Sequence, residues 1–450
     1  MNIETINPAT EEKLASYPVD SEAEIDRKLQ RAHDAFQIWR QTPIDERAEK
    51  VRNIARVLRA NVDKLAPLMT AEMGKTITEA EAEVEKSAGN CDYYADNGPQ
   101  MLKDEIVATT ARESYVAFEP LGTILAVMPW NFPIWQLMRH AAPALVAGNT
   151  VVLKHASNVT GCALAMVDIV REAGLPEGAV EALVIPGSMV DRVIGDPRIA
   201  AVTLTGSDAV GSKVAEAAGR HIKKTVLELG GSDAFVVLED ADLDKAAQFA
   251  ARSRFQNAGQ VCISAKRFIV ADKVADEFVE RFREKADAIV WGDPTSRDTR
   301  MGPMARKDLR DEIERQLDET LKAGADLVTG GKRPEGTGYY YPPTIVDNVG
   351  ADMTLFREES FGPVAAIIRV PDEQAAIASA NDSPYGLGSA LWTQDIERGK
   401  RLARQIEAGG VFINGMTTSN WKVPFGGVKR SGYGRELSSY GMREFVNIQT

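Results

Sequence analysis

Cysteine is scarce in this chain: Cys91, Cys162 and Cys262 are the only three among 450 residues. So sparse and odd a set builds no disulfide framework and points to a reducing compartment with at least one free thiol. The four histidines, His33, His140, His155 and His221, show no ligand spacing and no cysteine pairs with them, so a metal site is not expected. Long apolar runs are also missing. The richest, Leu121 to Met128 and Ala141 to Val146, stop well short of a membrane span. From Met1 to Leu14 the chain mixes Glu4, Glu11, Glu12 and Lys13 with apolar residues, unlike the basic start and apolar centre of a secretory signal. A cytoplasmic protein is therefore the expectation. No G-x-S-x-G elbow supports a Ser-His-Asp hydrolase, and no G-x-G-x-x-G follows a strand. Internal repeats and low-complexity segments are absent, which sets aside solenoids and linker-rich architectures.

What is present is an ordinary globular composition, 44% hydrophobic and 26% charged, in a chain too long for one hydrophobic core. The net charge of −12 disfavours nucleic acid and anionic membrane as partners, because phosphate binding needs a basic face. A local basic pocket stays compatible with it.

Ser21 and Glu24 form a capping box ahead of Ile25, Leu29, Ala32, Phe36 and Trp39, which share one helical face. Pro43 opens a second helix with the stripe Val51, Ile54, Leu58, Val62 and Leu65. A Glu-rich helix follows from Ile77 to about Lys86, and these helices read as packing elements. Beyond Tyr115, short apolar strands alternate with helical segments: Ile124–Met128, Val151–Lys154, Ala182–Ile185, Ala201–Thr205 and Val226–Glu228. That alternation predicts a parallel sheet wound with helices. A second α/β series runs from Phe235–Leu238 through Phe268–Val270 and a helix near Ala275–Ile289 to Val411–Asn414. The stretch from Phe425 to Thr450, with Gly426, Gly427, Gly432 and Gly434 and a strand-like Phe445–Ile448, is too small to fold alone and should dock elsewhere, on a partner subunit for example.

Several motifs could carry chemistry. Thr205-Gly206-Ser207 through Gly211 ends a strand in a glycine turn at a helix start, offering backbone N–H groups and a dipole to a phosphate. Its Lys213 follows Ser212 where a P-loop lysine would precede a Ser or Thr, so a P-loop is excluded. Cys262 lies in Asn257-Ala258-Gly259-Gln260-Val261-Cys262, where a reactive thiol and a small buried hydrophobe look alike. Cys91 and Cys162 read as packing. Glu228 closes a strand before Leu229-Gly230-Gly231, where a parallel sheet faces ligand; it could serve as a base or as half of a salt bridge. Asn131, between Pro129 and Pro133, could steady an oxyanion or simply cap a turn.

Taken together and in order, the runs Pro129-Trp130-Asn131-Phe132-Pro133, Thr205-Gly206-Ser207, Leu227-Glu228-Leu229-Gly230-Gly231, Gly259-Gln260-Val261-Cys262, Glu358-Glu359-Ser360-Phe361-Gly362-Pro363 and Pro424-Phe425-Gly426-Gly427 resemble the aldehyde dehydrogenase superfamily over essentially the whole chain, and most closely its succinate-semialdehyde branch. The resemblance implies an α/β fold of two Rossmann-like parallel-sheet domains with a small β oligomerisation flap, and a homodimer or homotetramer. Its boundaries would be a cofactor domain at 1–107 and 121–227, a catalytic domain at 228–423, and the flap with the tail at 108–120 and 424–450. It further implies Cys262 as nucleophile, as thiolate, Glu228 as general base and Asn131 with the Cys262 backbone N–H as oxyanion donors. NADP or NAD would meet Met128, Pro129, Trp130, Asn131, Lys154, Ser157, Gly187, Gly206, Ser207, Val210, Leu229, Gly230, Glu359 and Phe361. Ser157 stands where NAD-using relatives often carry a glutamate, so NADP preference is expected. Trp135, Arg139 and Ser419 match positions that hold a small carboxylated aldehyde, with glutarate semialdehyde or an uncharged aldehyde as alternatives. A catalytically silent binding protein on this fold and a CoA-acylating enzyme are the competing readings; the intact Cys262, Glu228 and Asn131 oppose the first, and Glu228 opposes the second. Ser264 replaces the second cysteine some relatives carry, so no redox disulfide is expected there.

Overall fold

The computed structural model describes residues 1–450, folded around two mainly parallel sheets. The first contains β1 (Thr123–Met128), β2 (Thr150–His155), β3 (Val180–Ala182), β4 (Ile199–Thr205) and β5 (Lys224–Glu228). Its spatial order is β5-β4-β1-β2-β3, with Gly432–Tyr433 added antiparallel beyond β5. The second contains β6 (Asp233–Val237), β7 (Ala265–Ala271), β8 (Thr344–Asp347), β9 (Val364–Val370), β10 (Gly388–Trp392) and β11 (Gly410–Ile413). They run β8-β9-β7-β6-β10-β11, edged by the antiparallel Asp326–Thr329.

The central strands are continuous apolar runs because helices cover both faces. All six residues of β1 are buried, and the helix Pro133–Ala147 that follows is buried along its whole length. Pro133 starts that helix with a preset φ. Gly148, at φ 100°, ends it in a conformation that side-chain-bearing residues rarely adopt, turning the chain back into β2.

Half of the expected capping box is present: the Ser21 side chain accepts from Glu24 N–H at 3.2 Å at the head of the helix Glu22–Trp39, while the Glu24 carboxylate pairs with Arg27. Two expectations need correction. The strand expected at Ala182–Ile185 lies instead at Val180–Ala182, because Val184 leaves the sheet to donate its N–H to the Asp20 carboxylate and accept from Asp20 N–H. The Glu-rich helix continues to Met101. Its Gly98 does not break the helix but admits Val146, whose Cγ1 would lie 2.7 Å from an added Cβ.

The tail docks on its own chain. Val446–Gln449 pairs with Tyr115–Pro120, which also pairs with Glu105–Ile106, making the small antiparallel sheet expected of a flap. No helix is long and apolar enough to cross a membrane.

Candidate active site

The carboxyl ends of β1, β4 and β5 face the segment that enters β7, and Cys262 lies in that segment. Its loop is built around a run of left-handed residues, Asn257 (φ 51°), Ala258 (φ 53°) and Gly259 (φ 72°). Gly259 is obligatory, since a Cβ there would sit 2.2 Å from Gly362 O. Two non-glycine residues in this region cost about 1–3 kcal/mol each, so surrounding contacts must hold them. The fully buried Arg254 does much of this, donating to Gly259 O at 2.7 Å and Ala265 O at 3.0 Å. Lys266, also fully buried, donates to Cys262 O at 2.7 Å.

Asn131 joins the two halves. Its Nδ2 donates to Gln260 O at 3.0 Å, and Asn257 Nδ2 donates back to Asn131 O at 3.0 Å. An amide nitrogen carries two N–H bonds, so one remains for another acceptor.

Two cavities meet at the thiol. One, of about 250 Å³, is walled by Trp135, Arg139, Ser419, Phe425 and, from the helix Ile77–Met101, Glu79, Glu83 and Lys86. The other, of about 430 Å³, is walled by Pro129, Trp130, Asn131, Gly206, Ser207, Val210, Leu229, Gly230, Glu359 and Phe361. Cys262 and Gln136 line both. In the second, Trp130 and Phe361 meet edge to face at 5.8 Å, Ser207 caps the helix Asp208–Arg220, and Glu359 accepts from Gly231 N–H at 3.0 Å. A Cβ on Gly230 would fall 2.2 Å from the Glu359 carboxylate, so glycine lets that carboxylate lie against the chain.

The remaining expected cofactor residues lie outside this cavity. Met128 is buried behind it, while Lys154 is half-buried at the end of β2 and Ser157 and Gly187 are exposed beyond it. Lys154, Ser157 and Gly187 lie at or just past the carboxyl ends of β2 and β3. Burial lowers the Lys154 pKa, and no carboxylate pairs with it. A helix start, an edge-to-face aromatic pair and an unpaired lysine suit an extended anionic nucleotide.

Burial raises the pKa of both candidate catalytic groups. Cys262 is half-buried, and desolvation pushes its thiol up to about 11 against the opposing pull of Arg139 and Lys266, the two cations that favour a thiolate. Glu228 is buried, and neither carboxylate oxygen has a hydrogen-bond partner. Desolvation first, and the neighbouring Glu436 second, raise its pKa well above the ordinary carboxylate range. Its Oε1 lies toward Gly426, and Glu228 lines neither cavity. Sequence reasoning found this residue but not its direction.

Arg139 lines the first cavity, yet its guanidinium is already engaged. It forms a buried ion pair with Glu436, donates to Thr205 Oγ1 at 3.1 Å and stacks on Phe425. Trp135 and Ser419 reach the same cavity. Other wall residues escaped the sequence reading. Lys86 and Glu83 sat in a helix read as packing, Arg252 in the helix Leu243–Phe255, and Arg306 just ahead of the helix Lys307–Lys322; no local signal marks any of them. No group of three His, Cys, Asp or Glu side chains is placed to hold a metal ion.

The chain is similar to known proteins over its whole length. The aldehyde dehydrogenase family model matches residues 1–450. A succinate semialdehyde dehydrogenase (NAD(P)+) of Escherichia coli is 50% identical over 446 residues, 99% of this chain and 96% of that protein. A succinate-semialdehyde dehydrogenase (NADP(+)) of Mycobacterium ulcerans is 50% identical over 454 residues, covering 100% of this chain and 99% of its own. The crystal structure of succinic semialdehyde dehydrogenase from Streptococcus pyogenes in complex with NADP+ superposes with a TM-score of 0.97 at 41% identity, covering 99% of this chain and 98% of that one.

Proposed function

The chain belongs to the aldehyde dehydrogenase family, and from that premise we propose that it oxidises succinate semialdehyde to succinate, with NADP preferred and NAD accepted. The observation that carries this reading is a single thiol, Cys262, shared by a small cationic cavity and a nucleotide-sized one. In this reading Cys262 gives its thiol proton to solvent water, the sulfur adds to the aldehyde carbon, and the carbonyl oxygen becomes an oxyanion held by the free Asn131 N–H and the Cys262 backbone N–H. Bound in the larger cavity, the nicotinamide supplies the hydride acceptor. The carbon is then a thioester on Cys262, and Glu228 takes a proton from the water that hydrolyses it. For this the Glu228 carboxylate turns from Gly426 toward Cys262. Leaving Glu436 and gaining water both lower its pKa, so that it arrives ionised and able to accept a proton.

Trp130, Asn131, Ser207, Gly230, Glu359 and Phe361 hold the cofactor, with Lys154 and Ser157 at its adenosine end, and Trp135, Arg139 and Ser419 orient the substrate. The cofactor domain spans 1–107 and 121–227, the catalytic domain 228–423, and the flap and tail 108–120 and 424–450. On the small antiparallel sheet, Ile106 and Ile448 are 76% and 63% exposed, apolar area that assembly into a homodimer or homotetramer would cover. A free, reduced Cys262 suits the cytoplasm. NADPH absorbance across a panel of aldehydes tests the activity, with Cys262→Ser as control. Failure to oxidise succinate semialdehyde, or undiminished turnover in the variant, would overturn it.

A further inference from the structure

Lys266 is a fully buried cation to which the proposed reaction gives no part. It is the second residue of β7, and the ladder with β6 slips there: Asp233 pairs with Ala265 and Ala234 with Arg267, so Lys266 is the extra residue of a bulge. A bulge bends its strand and re-aims the side chain beside it. Arg267, the next residue, is also buried, and its guanidinium donates to the backbone oxygens of Ser232, Ser379 and Ala380. Lys266 is directed to the nucleophile loop instead. Its ammonium donates to Cys262 O at 2.7 Å and Val261 O at 3.3 Å, and lies 3.4 Å from Glu359 Oε1. Three oxygens thus surround its three N–H donors, and Lys266 lines neither cavity, so it has nothing to offer a ligand directly.

A buried ammonium carries a desolvation penalty that an apolar side chain of the same length would avoid, which makes Lys266 a poor choice for stability alone. Its surroundings give the charge a use. Of the groups near the Cys262 thiol, Arg139 and Lys266 favour the thiolate, whereas Asp233 and Glu359 oppose it. Lys266 faces both of those carboxylates: it pairs with Glu359, and its charge stabilises the buried Asp233 anion. Arg139 is closed in its pair with Glu436. Lys86, on Ser419 Oγ, and Arg252 stand on the small cavity's wall, where Glu83 and Glu79 accept from Ile134 and Asn257 N–H.

We propose that Lys266 is a positioning residue for the nucleophile: it fixes Cys262 by the carbonyl and offsets the negative field of Asp233 and Glu359 at the sulfur. This rests on Cys262 being the nucleophile of the proposed oxidation. Lys266 acts through that residue and touches neither substrate nor cofactor.

The test follows iodoacetamide alkylation across pH, without cofactor, in the wild-type enzyme, Lys266→Met, Lys266→Gln and Glu359→Gln. Cys91 and Cys162 are buried, so the profile reports Cys262. Lys266→Met should move the midpoint about one pH unit higher, a roughly tenfold smaller thiolate fraction at neutral pH, and lower kcat/KM by about 10- to 100-fold. Lys266→Gln retains an amide donor for Cys262 O but not the charge, and should show the same shift with a smaller loss of turnover. Glu359→Gln removes an anion instead of a cation, so its midpoint should move lower. Loss of scaffold alone would not shift one thiol in opposite directions. An unchanged midpoint in both Lys266 variants overturns the inference, whatever happens to their melting temperature. So does a midpoint that Glu359→Gln leaves in place or raises, a result that holds even if the Lys266 variants do not fold. The profile needs no aldehyde, which keeps this test separate from that of the nucleophile by Cys262→Ser.

Discussion

Ser157→Glu puts the basis of cofactor choice to a clean trial. Ser157 is exposed in a single turn of 3-10 helix, Ser157–Val159, just past β2, and only its backbone oxygen is engaged, by Thr160 Oγ1 at 2.8 Å. The substitution therefore disturbs no packing, and its effect reports electrostatics. Two unit charges about 5 Å apart repel by roughly 1 kcal/mol at the dielectric of water and by about 3 kcal/mol at that of a protein surface. A 2′-phosphate carries a charge of about −1.5 to −2, and the neighbouring Lys154 offsets part of the repulsion, leaving a penalty of about 2–4 kcal/mol. That corresponds to a loss of roughly 30- to 1000-fold in kcat/KM for NADP. The same carboxylate can accept from ribose hydroxyls, so kcat/KM for NAD should hold or rise. Initial rates of both cofactors at saturating aldehyde give the comparison. Equal losses with both, or no loss with NADP, would show that the 2′-phosphate does not lie beside Ser157 and Lys154.

Other outcomes follow from the same geometry. Asn131→Ala should lower kcat by about 10²- to 10³-fold through loss of an oxyanion donor, and a smaller effect in single-turnover kinetics would assign the amide to bracing Gln260. Glu228→Gln should preserve a rapid burst of NADPH equal to the enzyme concentration while slowing later turnovers by about 10²- to 10⁴-fold; a lost burst would place Glu228 in acylation. In Glu436→Gln the anion that raises the Glu228 pKa is gone, so Glu228 ionises more readily and the acid limb of the kcat profile moves to lower pH; a shift to higher pH refutes the coupling. Arg139→Met leaves buried carboxyls without their cation and should cost about 3–5 kcal/mol in urea unfolding, largely restored by adding Glu436→Gln. A loss below about 1 kcal/mol would deny the pair its structural part.

Much of this was legible in the linear chain. The alternating apolar runs located both sheets, because a parallel strand covered on two faces has to be apolar throughout. The ordered motifs located Cys262, Asn131 and Glu228. What stayed hidden depends on partners brought from afar. The direction of Glu228 is set by Gly426 and Glu436, neither of which its own neighbourhood reveals. Lys86 looks like any solvated lysine on a Glu-rich helix until Trp135 and Ser419 are folded against it. The helix carrying it runs on to Met101 because residues usually read as breakers meet close neighbours there: Gly98 faces Val146, and Asn90 donates to Met138 O. The displaced third strand reflects one bond pattern, with Asp20, that local propensity does not encode.

The strand Gly432–Tyr433 seals the outer edge of the sheet beside β5, and Glu436 just beyond it meets Arg139. A ribosome must therefore release some three hundred residues after Arg139 before that guanidinium finds its counterion. Until then the first sheet keeps an open hydrogen-bonding edge and a stranded positive charge, so a growing polypeptide has no competent site to expose to reactive aldehydes. Premature termination just short of Gly432 should yield an aggregation-prone product rather than a weakened enzyme.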